Sequence, residues 1–181
     1  MEARPSGKPK RKPPRRKQIE ETARRYFAAL AARDPQAMAA CWSEDGVDDI
    51  VPLRVLRGPE EISAFFAALF AAIPDAETTV HNVVAGERQA AVEWRTVGTF
   101  TGLPFEGVEA TGGRLELRGL DLLEINDDRI LKNTAYYDGA AFMRQLGLLP
   151  PQDSGPEKAI KTAFNTVNKV RRTVAERRGA R

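Results

Sequence analysis

The amino-acid sequence predicts an α+β fold in which helices pack against one face of a curved antiparallel sheet. Up to Pro74, apolar residues recur at three- and four-residue spacing, as they do on one face of a helix. After Pro74 the period changes to two, which is typical of strands with one buried face. Short connections separate these later segments, so consecutive strands are expected to be antiparallel neighbours.

Three helices are predicted in the first half of the chain. Residues 18–33 carry one apolar stripe, which makes them the first helix. Asp34 is the expected N-cap of a second helix that begins at Pro35 and continues to Trp42. The third helix follows the sequence RGPEE, and Pro74 ends it. The apolar faces of the first and third helices comprise Ile19, Ala23, Tyr26, Phe27 and Leu30, and Ile62, Phe65, Phe66, Leu69 and Ile73.

Four strands and a further helix are predicted after Pro74. The strand segments are rich in β-branched, aromatic and leucine residues, and Gly or Asn-Asp turn signals separate them. They span residues 76–85, 89–100, 113–126 and 129–138. The last helix, Glu157 to Arg178, is strongly basic and carries a narrow apolar stripe of Ile160, Phe164 and Val167, with Val170 and Val174.

One carboxylate interrupts the strand pattern. In the stretch LELRGLDLLEI, Asp121 shares a face with Leu115, Leu117, Leu123 and Ile125, whereas the other face carries the remaining charges. A polar residue at a core position is an error in the pattern unless it has a function. Asp121 is therefore the first candidate site residue.

The composition excludes several classes of protein. No apolar run approaches the roughly 20 residues that cross a bilayer, and the basic N-terminus lacks the apolar segment of a signal peptide. One cysteine, Cys41, excludes an internal disulfide or a Cys-based zinc cluster, and one histidine, His81, excludes multi-histidine metal sites. A reduced, cytoplasmic protein without metal or other cofactor is expected.

Charge divides the chain into three parts. Residues 1–17 hold eight Lys or Arg against one Glu, and residues 152–181 hold eight against three acids, although the whole chain has a net charge of only +3. The body between them is therefore acidic. We expect a disordered basic tail over residues 1–17, a folded domain over 18–149, and a linker with a basic helix over 150–181. The basic ends are candidates for contact with nucleic acid, an anionic surface or an acidic partner. The acidic body of the same chain or of a second subunit would also serve as such a partner.

Several stretches make a family resemblance recognisable. The runs RRYFAALAARDPQAMAACWSEDGV, LRGPEEISAFFAALFAAIPD, VEWRTVGTFTG, RGLDLLEINDDRI and AYYD resemble the SnoaL-like and ketosteroid-isomerase-related branch of the nuclear transport factor 2-like superfamily, over about residues 19–149. The resemblance implies a cone-shaped barrel, in which a curved sheet and three N-terminal helices on its concave face enclose a deep apolar pocket. It also implies a homodimer that associates through the outer face of the sheet.

The resemblance assigns roles to two residues. Tyr26 and Asp121 match a tyrosine and a protonated aspartic acid that donate hydrogen bonds to a developing enolate oxygen in ketosteroid isomerases. Apolar surroundings raise the pKa of such a carboxyl, so that it can donate near neutral pH. A purely structural role is the alternative for both, because a buried Asp can accept hydrogen bonds from a neighbouring strand and a buried Tyr is often part of the core.

The usual second carboxylates of the relatives are missing. Ile50 stands at the position of the isomerase base, with Asp49 able to replace it only if the strand shifts, and Ala135 stands at the position of a cyclase acid/base aspartate. An epoxide-hydrolase arrangement would need Arg118 beside Asp121, which requires a bulge at Gly119. Substrate contacts are expected from Trp42, Trp94, Phe66, Asn133, Tyr137 and the candidate proton shuttle His81.

The predicted function is that of a cofactor-independent small-molecule enzyme. It would cyclise or isomerise a hydrophobic carbonyl-bearing or polyketide-like substrate. Asp121 would be the acid or oxyanion donor, assisted by Tyr26. Three alternatives stay open: a binding or protein-interaction module that retains the pocket, an epoxide-hydrolase-like enzyme, and a domain whose basic ends are the functional part.

Overall fold

A computed structural model describes residues 15–179 of the chain and contains five helices and six strands in that range. The predicted tail therefore lies outside the described residues except for its last three positions. In chain order the elements are α1 (Arg15–Ala31), α2 (Pro35–Ala39), β1 (Trp42–Val51), β2 (Arg54–Arg57), α3 (Gly58–Ala72), β3 (Glu77–Ala85), β4 (Gln89–Thr99), β5 (Arg114–Asn126), β6 (Arg129–Tyr137), α4 (Gly139–Gln145) and α5 (Gly155–Gly179).

Helices α2 and α4 begin at aspartate N-caps. The Asp34 carboxylate accepts a 2.9 Å hydrogen bond from the Ala37 N–H, and Asp138 caps α4 in the same way through Ala141. Some boundaries differ from the prediction: α1 starts at Arg15 instead of Gln18, α5 starts at Gly155 instead of Glu157, and α2 ends at Ala39 because the chain enters β1 at Trp42. Elements β1, β2 and α4 were not among the predicted helices and strands. The four predicted strands appear within two residues of their expected ends.

The six strands form one open sheet in the order β2-β1-β6-β5-β4-β3. All neighbouring strands are antiparallel except β1 and β6, which run parallel. This pairing places the first strand of the chain beside the last, in the middle of the sheet. The α+β fold is thereby confirmed, with β2 and β3 as the edges of a cone that the helices complete.

The core lies between the concave face of this sheet and the helices. Helix α1 packs on β3, β4 and β5, whereas α3 packs on β1 and β2, and α2 joins the two helices. Aromatic and aliphatic side chains from both layers are buried there. The largest fully buried side chains include Tyr26, Met38, Leu56, Ile62, Phe100, Leu123, Ile125 and Ile130.

Helix α5 contrasts with the other helices because its described apolar side chains are exposed. Its first turn is held to the body by Glu157, whose carboxylate accepts hydrogen bonds from Arg144 of α4 at 3.1 Å and from Lys161 at 3.0 Å. Ile160, Phe164 and Val167, the described part of the predicted stripe, are each at least half exposed. The side chains of Val170 and Val174 lie outside the described residues. No helix among the described residues is long and apolar enough to span a bilayer.

Candidate functional site

A chamber with an enclosed volume of about 130 Å³ opens between the helices and the concave face of the sheet. Six phenylalanines, from α1, α3, α4 and the loop after β4, line it together with aliphatic side chains, so the wall is strongly apolar. The few polar side chains gather on the sheet, and we call Asp48, Trp94, Asp121 and Asn133 the chamber floor. The principal lining residues of the wall are Phe27, Leu30, Ile50, Phe65, Phe66, Leu69, Phe70, Ile73, Phe105, Leu117, Tyr137 and Phe142.

Asp121 lies in this floor and accepts two short hydrogen bonds. The Trp94 indole Nε1–H donates to Asp121 Oδ1 at 2.7 Å, and Asn133 Nδ2 donates to Oδ2 at 2.7 Å. The side chain is only 5% exposed. Because both partners donate, they favour the ionised carboxylate.

A second carboxyl group completes the floor on the other side of Asn133. Asn133 Nδ2 also donates to Asp48 Oδ1 at 3.0 Å, so one neutral amide bridges two buried carboxyl groups. Asp48 Oδ2 and Asn133 Oδ1 are buried without a hydrogen-bond partner within the described part of the chain. Unpaired buried polar atoms are costly, and both of these residues line the chamber.

Strand register explains how three strands deliver these residues to one place. Asp121 of β5 pairs with Ala135 of β6, and Ala135 pairs with Ile50 of β1. Two residues earlier on β1 and β6, Asp48 pairs with Asn133 in the parallel ladder. Because side chains two positions apart share a face, both pairs point into the chamber.

Gly119 makes room for the contact between Trp94 and Asp121. Trp94 and Gly119 are opposite one another in the β4–β5 ladder, and the indole lies across the glycine. A Cβ atom at Gly119 would lie 2.3 Å from Trp94 Cζ2, which no side chain could tolerate without displacing the indole. The glycine in RGLDLL therefore permits the indole to reach the carboxylate.

The two carboxyl groups differ in acidity because their partners differ. Burial, together with the charge of Asp121, raises the pKa of Asp48 to about 8, although one hydrogen bond from Asn133 opposes the rise. Burial also raises the pKa of Asp121, but only to about 6, because Trp94 and Asn133 both stabilise its charge. The two pKa values thus lie on either side of neutrality.

Tyr26, the predicted partner of Asp121, does not line the chamber. It is 1% exposed, and its ring packs edge to face against Phe27 and Trp42, with centroids 5.5 and 5.7 Å apart. Burial raises the pKa of Tyr26 well above its ordinary value, and the charges of Asp48 and Asp121 raise it further. The side chains that donate hydrogen bonds to Asp121 are those of Trp94 and Asn133, so Tyr26 lies behind the floor and not beside Asp121 on the chamber surface.

The remaining predicted contacts divide between the chamber and other places. Phe66, Trp94, Asn133 and Tyr137 line the chamber. Trp42 is buried against Tyr26 and does not line it. His81 is exposed on β3 at a break in the β3–β4 register, so it cannot be a proton shuttle for the chamber.

The orientations of Ile50, Ala135 and Arg118 follow from their positions in the strands. Ile50 and Ala135 line the chamber beside Asp121, with no acid of their own. Arg118 lies on the outer face in an ion pair with Glu93, because the β4–β5 ladder is regular at Gly119. The bulge that an Arg-x-Asp site would need is absent from this described strand pair.

Asp48 is the site residue that the sequence analysis missed. The prediction considered an inward shift of Asp49, whereas the strand keeps Ile50 inward and therefore also turns Asp48 inward, with 1% exposure. The signal was present in the sequence, since Asp48 and Ile50 are two residues apart. Ile50 itself has no acidic group, but Asp48 places a carboxyl group on the same face of β1.

The floor can donate and accept protons but has no cluster for binding a metal. Within residues 15–179, no group of three or more His, Cys, Asp or Glu side chains could hold a metal ion. A neutral carboxyl and an ionised one, held around one amide in an apolar chamber, form a pair suited to general acid–base chemistry.

Comparisons with known proteins agree with this architecture. The family model described as a SnoaL-like domain matches residues 23–133. No curated protein sequence gives a significant match.

Three solved structures illustrate the likeness of the fold. A candidate SnoaL-like polyketide cyclase from Jannaschia sp. CCS1 is 23% identical, with a TM-score of 0.68 over 78% of this chain and 99% of that one. A candidate polyketide cyclase from Silicibacter sp. TM1040 is 27% identical, with a TM-score of 0.61 over 71% and 95%. An LEH-like epoxide hydrolase from M. tuberculosis is 16% identical, with a TM-score of 0.59 over 74% and 92%.

Proposed function

The chain belongs to the SnoaL-like domain family, and from that membership and the chamber floor we propose that it is a small-molecule enzyme that moves protons on a hydrophobic, carbonyl-bearing substrate. The observation that carries the proposal is the pair of buried carboxyl groups around Asn133. Their pKa values of about 8 and about 6 leave one protonated and the other largely ionised at neutral pH. The apolar wall supports a hydrophobic substrate, such as a polyketide-like ketone.

In this mechanism Asp121 is the base and Asp48 is the acid. The Asp121 carboxylate removes a proton from the carbon next to the substrate carbonyl, and the carbonyl oxygen accepts a hydrogen bond or a proton from Asp48 Oδ2. The negative charge passes from Asp121 to the enolate oxygen if Asp48 only donates a hydrogen bond, or to the Asp48 carboxylate if its proton is transferred to give the enol, so in either case the chamber gains no net charge. A donor fixed in a dry site is worth about 3 kcal/mol of transition-state stabilisation. Isomerisation or ring closure would follow from the same enol intermediate.

The proposed roles differ from those predicted from the sequence. Asp121 was the predicted acid, but the two hydrogen bonds that it accepts suit the ionised form. Tyr26 stays neutral at all ordinary pH values because its pKa is raised well above 10. We assign it a supporting role behind the floor, where it packs against Trp42, and not a contact with substrate.

Exchange of ketone α-protons tests the proposal even though the natural substrate is unidentified. We expect the protein to accelerate deuterium uptake by a small aryl ketone in D₂O, as followed by proton NMR. Asp121→Asn and Asp48→Asn should each lower the exchange rate by about 10²- to 10⁴-fold, the usual share of one general acid or base. The rate should be bell-shaped in pH, with a maximum near pH 7, because Asp121 must be ionised and Asp48 protonated.

The matched control is Asp49→Asn, on the same strand but outside the chamber lining. It should change the exchange rate far less than Asp48→Asn does, because the charge of Asp49 is the smallest of the effects on the pKa of Asp48. Exchange no faster than in buffer, across a panel of hydrophobic ketones that bind, would contradict the proposal and favour a binding module that retains the chamber.

Epoxide hydration is a second candidate, because Asn133 Oδ1 is a buried acceptor without a partner in the described part of the chain. That oxygen and Asp121 could orient a water molecule while Asp48 protonates the epoxide oxygen, and the likeness to the LEH-like epoxide hydrolase supports this alternative. Against this alternative, the chamber floor has Asn133 and not an arginine between its two carboxyl groups. Diol formation from an aryl epoxide, without exchange of ketone protons, would favour it.

For partners, we further propose a homodimer through the convex face of the sheet. Leu120, Leu122, Leu131 and Tyr136 are exposed on this face, with relative exposures of 37% to 51%. Molar mass measured in solution would test the dimer. Contact of the basic ends with nucleic acid, an anionic surface or an acidic partner remains a proposal from charge, as does a cytoplasmic location from composition; a charge-driven contact must weaken as salt rises.

A further inference from the structure

We propose that the chamber also binds hydrophobic amines in their protonated form, with the ammonium group placed between Asp48 Oδ2 and Asn133 Oδ1. The floor offers two buried acceptor positions that nothing in residues 15–179 occupies. The proposed site uses the same floor as the proton-transfer chemistry. Because binding needs no turnover, amine binding can be tested independently of that chemistry.

The first argument is a deficit of positive charge. Two carboxyl groups, from Asp48 and Asp121, share one bridging amide that carries no charge. None of the described residues that line the chamber is Lys, Arg or His. Buried carboxylates normally require a cation or a proton, because burial disfavours the charged form. Without a ligand, a proton on Asp48 meets this requirement; a cationic ligand would meet it with its own charge.

The second argument is the hydrogen-bonding capacity of the unpaired atoms. Asn133 Oδ1 is the carbonyl oxygen of an amide, so it can only accept, and Asp48 Oδ2 also accepts once its proton has left. Both side chains are 1% exposed and line the chamber. An ammonium group carries two or three N–H donors, which suits two neighbouring acceptors. A neutral ether or hydrocarbon would leave Asn133 Oδ1 unpaired.

The third argument is the chamber wall. Phe27, Phe65, Phe66 and Phe70 line it together with the Trp94 indole. Aromatic faces attract cations, and the attraction is larger where water is excluded. The enclosed volume of about 130 Å³ is close to that of a cavity known to hold benzene, about 150 Å³. An arylalkylamine with a single ring therefore matches the enclosed space.

Amine binding should displace a proton from Asp48. The groups that face Asp48 are Asn133 of β6, Asp121 of β5 and Tyr26 of α1, with Asp49 as its neighbour on β1. None of these is a cation, so the proton and the ammonium compete for the same negative charge. At neutral pH Asp48 carries its proton, since its pKa is about 8.

Calorimetric titration of the whole chain with benzylammonium and with benzyl alcohol tests the proposal. The two probes have the same ring and nearly the same shape, but only the first is charged. At pH 7 we expect benzylammonium to bind at least tenfold more tightly. Titration in two buffers of different ionisation enthalpy should show release of close to one proton for each benzylammonium bound, and none for benzyl alcohol.

Variants separate the site from a general affinity for apolar rings. Asp48→Asn should lower the affinity for benzylammonium at least tenfold and leave that for benzyl alcohol unchanged, which also shows that the chamber is still folded. Asp49→Asn should change both affinities far less than Asp48→Asn changes that for benzylammonium, because the charge of Asp49 is the smallest of the effects on the pKa of Asp48. Equal or tighter binding of the alcohol, binding of benzylammonium without proton release, or full retention of affinity in Asp48→Asn would overturn the proposal. Because every readout is binding, an absence of ketone exchange has no bearing on the result.

Discussion

Each face of strand β5 departs from the usual pattern of apolar residues inside and polar residues outside, and the two departures are opposite. On the concave face, Asp121 is 5% exposed beside the fully buried Leu123. On the convex face, Leu120 and Leu122 are 44% and 37% exposed. A carboxyl group is therefore inside while two leucines are outside, on adjacent residues of one strand.

The difference between the faces lies in what each side chain contacts. Asp121 has two hydrogen-bond donors and faces a chamber with a second carboxyl group, so its burial is compensated. The convex leucines lie among charged neighbours such as Arg118 and Glu93. A buried charge with partners indicates chemistry, whereas an exposed apolar group indicates a surface for association.

The largest expected effect is the loss of stability in Leu123→Ala, which is compared with truncation of its neighbour Leu122. Leu123→Ala should lower the free energy of unfolding by about 2–5 kcal/mol, because a fully buried side chain leaves a cavity. Leu122→Ala should change it by about 0.5 kcal/mol or less, as at most surface positions. Urea denaturation of both variants measures the difference. Equal losses would contradict the contrast between the faces, and a loss from Leu122→Ala that depends on protein concentration would indicate a dimer interface.

A smaller effect is expected from Gly119→Ala. The new Cβ would meet the Trp94 ring at 2.3 Å, and overpacking of this kind costs about 1–3 kcal/mol. Displacement of the indole also removes a hydrogen bond from the Asp121 carboxylate, so the pKa of Asp121 should rise. Thermal unfolding and an NMR titration of Asp121 check both results. Gly86→Ala, in the turn between β3 and β4 where the nearest atom would be 3.7 Å away, is the control and should alter neither.

The most gradual expected effect is a dependence of stability on pH. The folded-state pKa values of Asp48 and Asp121, about 8 and about 6, are raised above the ordinary value of 3.8. Their contribution to stability is therefore complete below about pH 4 and is lost as pH rises, through about 6 for Asp121 and about 8 for Asp48. One proton gives at most about 1.4 kcal/mol per pH unit.

Replacement of Asp48 isolates its share of this dependence. Melting temperatures of the wild type should fall between pH 6 and 8, whereas those of Asp48→Asn should be nearly flat in that interval. Asp49→Asn should keep the wild-type slope. A wild-type stability that does not fall from pH 6 to 8 would contradict this, because it would show that Asp48 is already ionised in the folded state over that interval.

Much of the fold could be predicted from local patterns. The stripe on α1, the cap at Asp34 and the alternation in β5 each depend on residues close together in the chain, and all three appear in the structure. Alternation also placed Asp121 on the inner face. It could not show that Trp94 crosses Gly119 to reach Asp121, because that contact depends on the register between two strands.

The sequence by itself determined the type of the longer helices and of the last four strands, and the face on which Asp121 lies, because backbone geometry fixes which neighbouring residues share a face. Only the tertiary structure decided which groups meet Asp121. The parallel pairing of β1 with β6 brings Asp48 to Asn133, 85 residues away in the chain. The desolvation that separates the two pKa values exists only when helices α1 and α3 close over the sheet. Solvent exclusion is a property of the assembled layers, so no local segment of the sequence carries it.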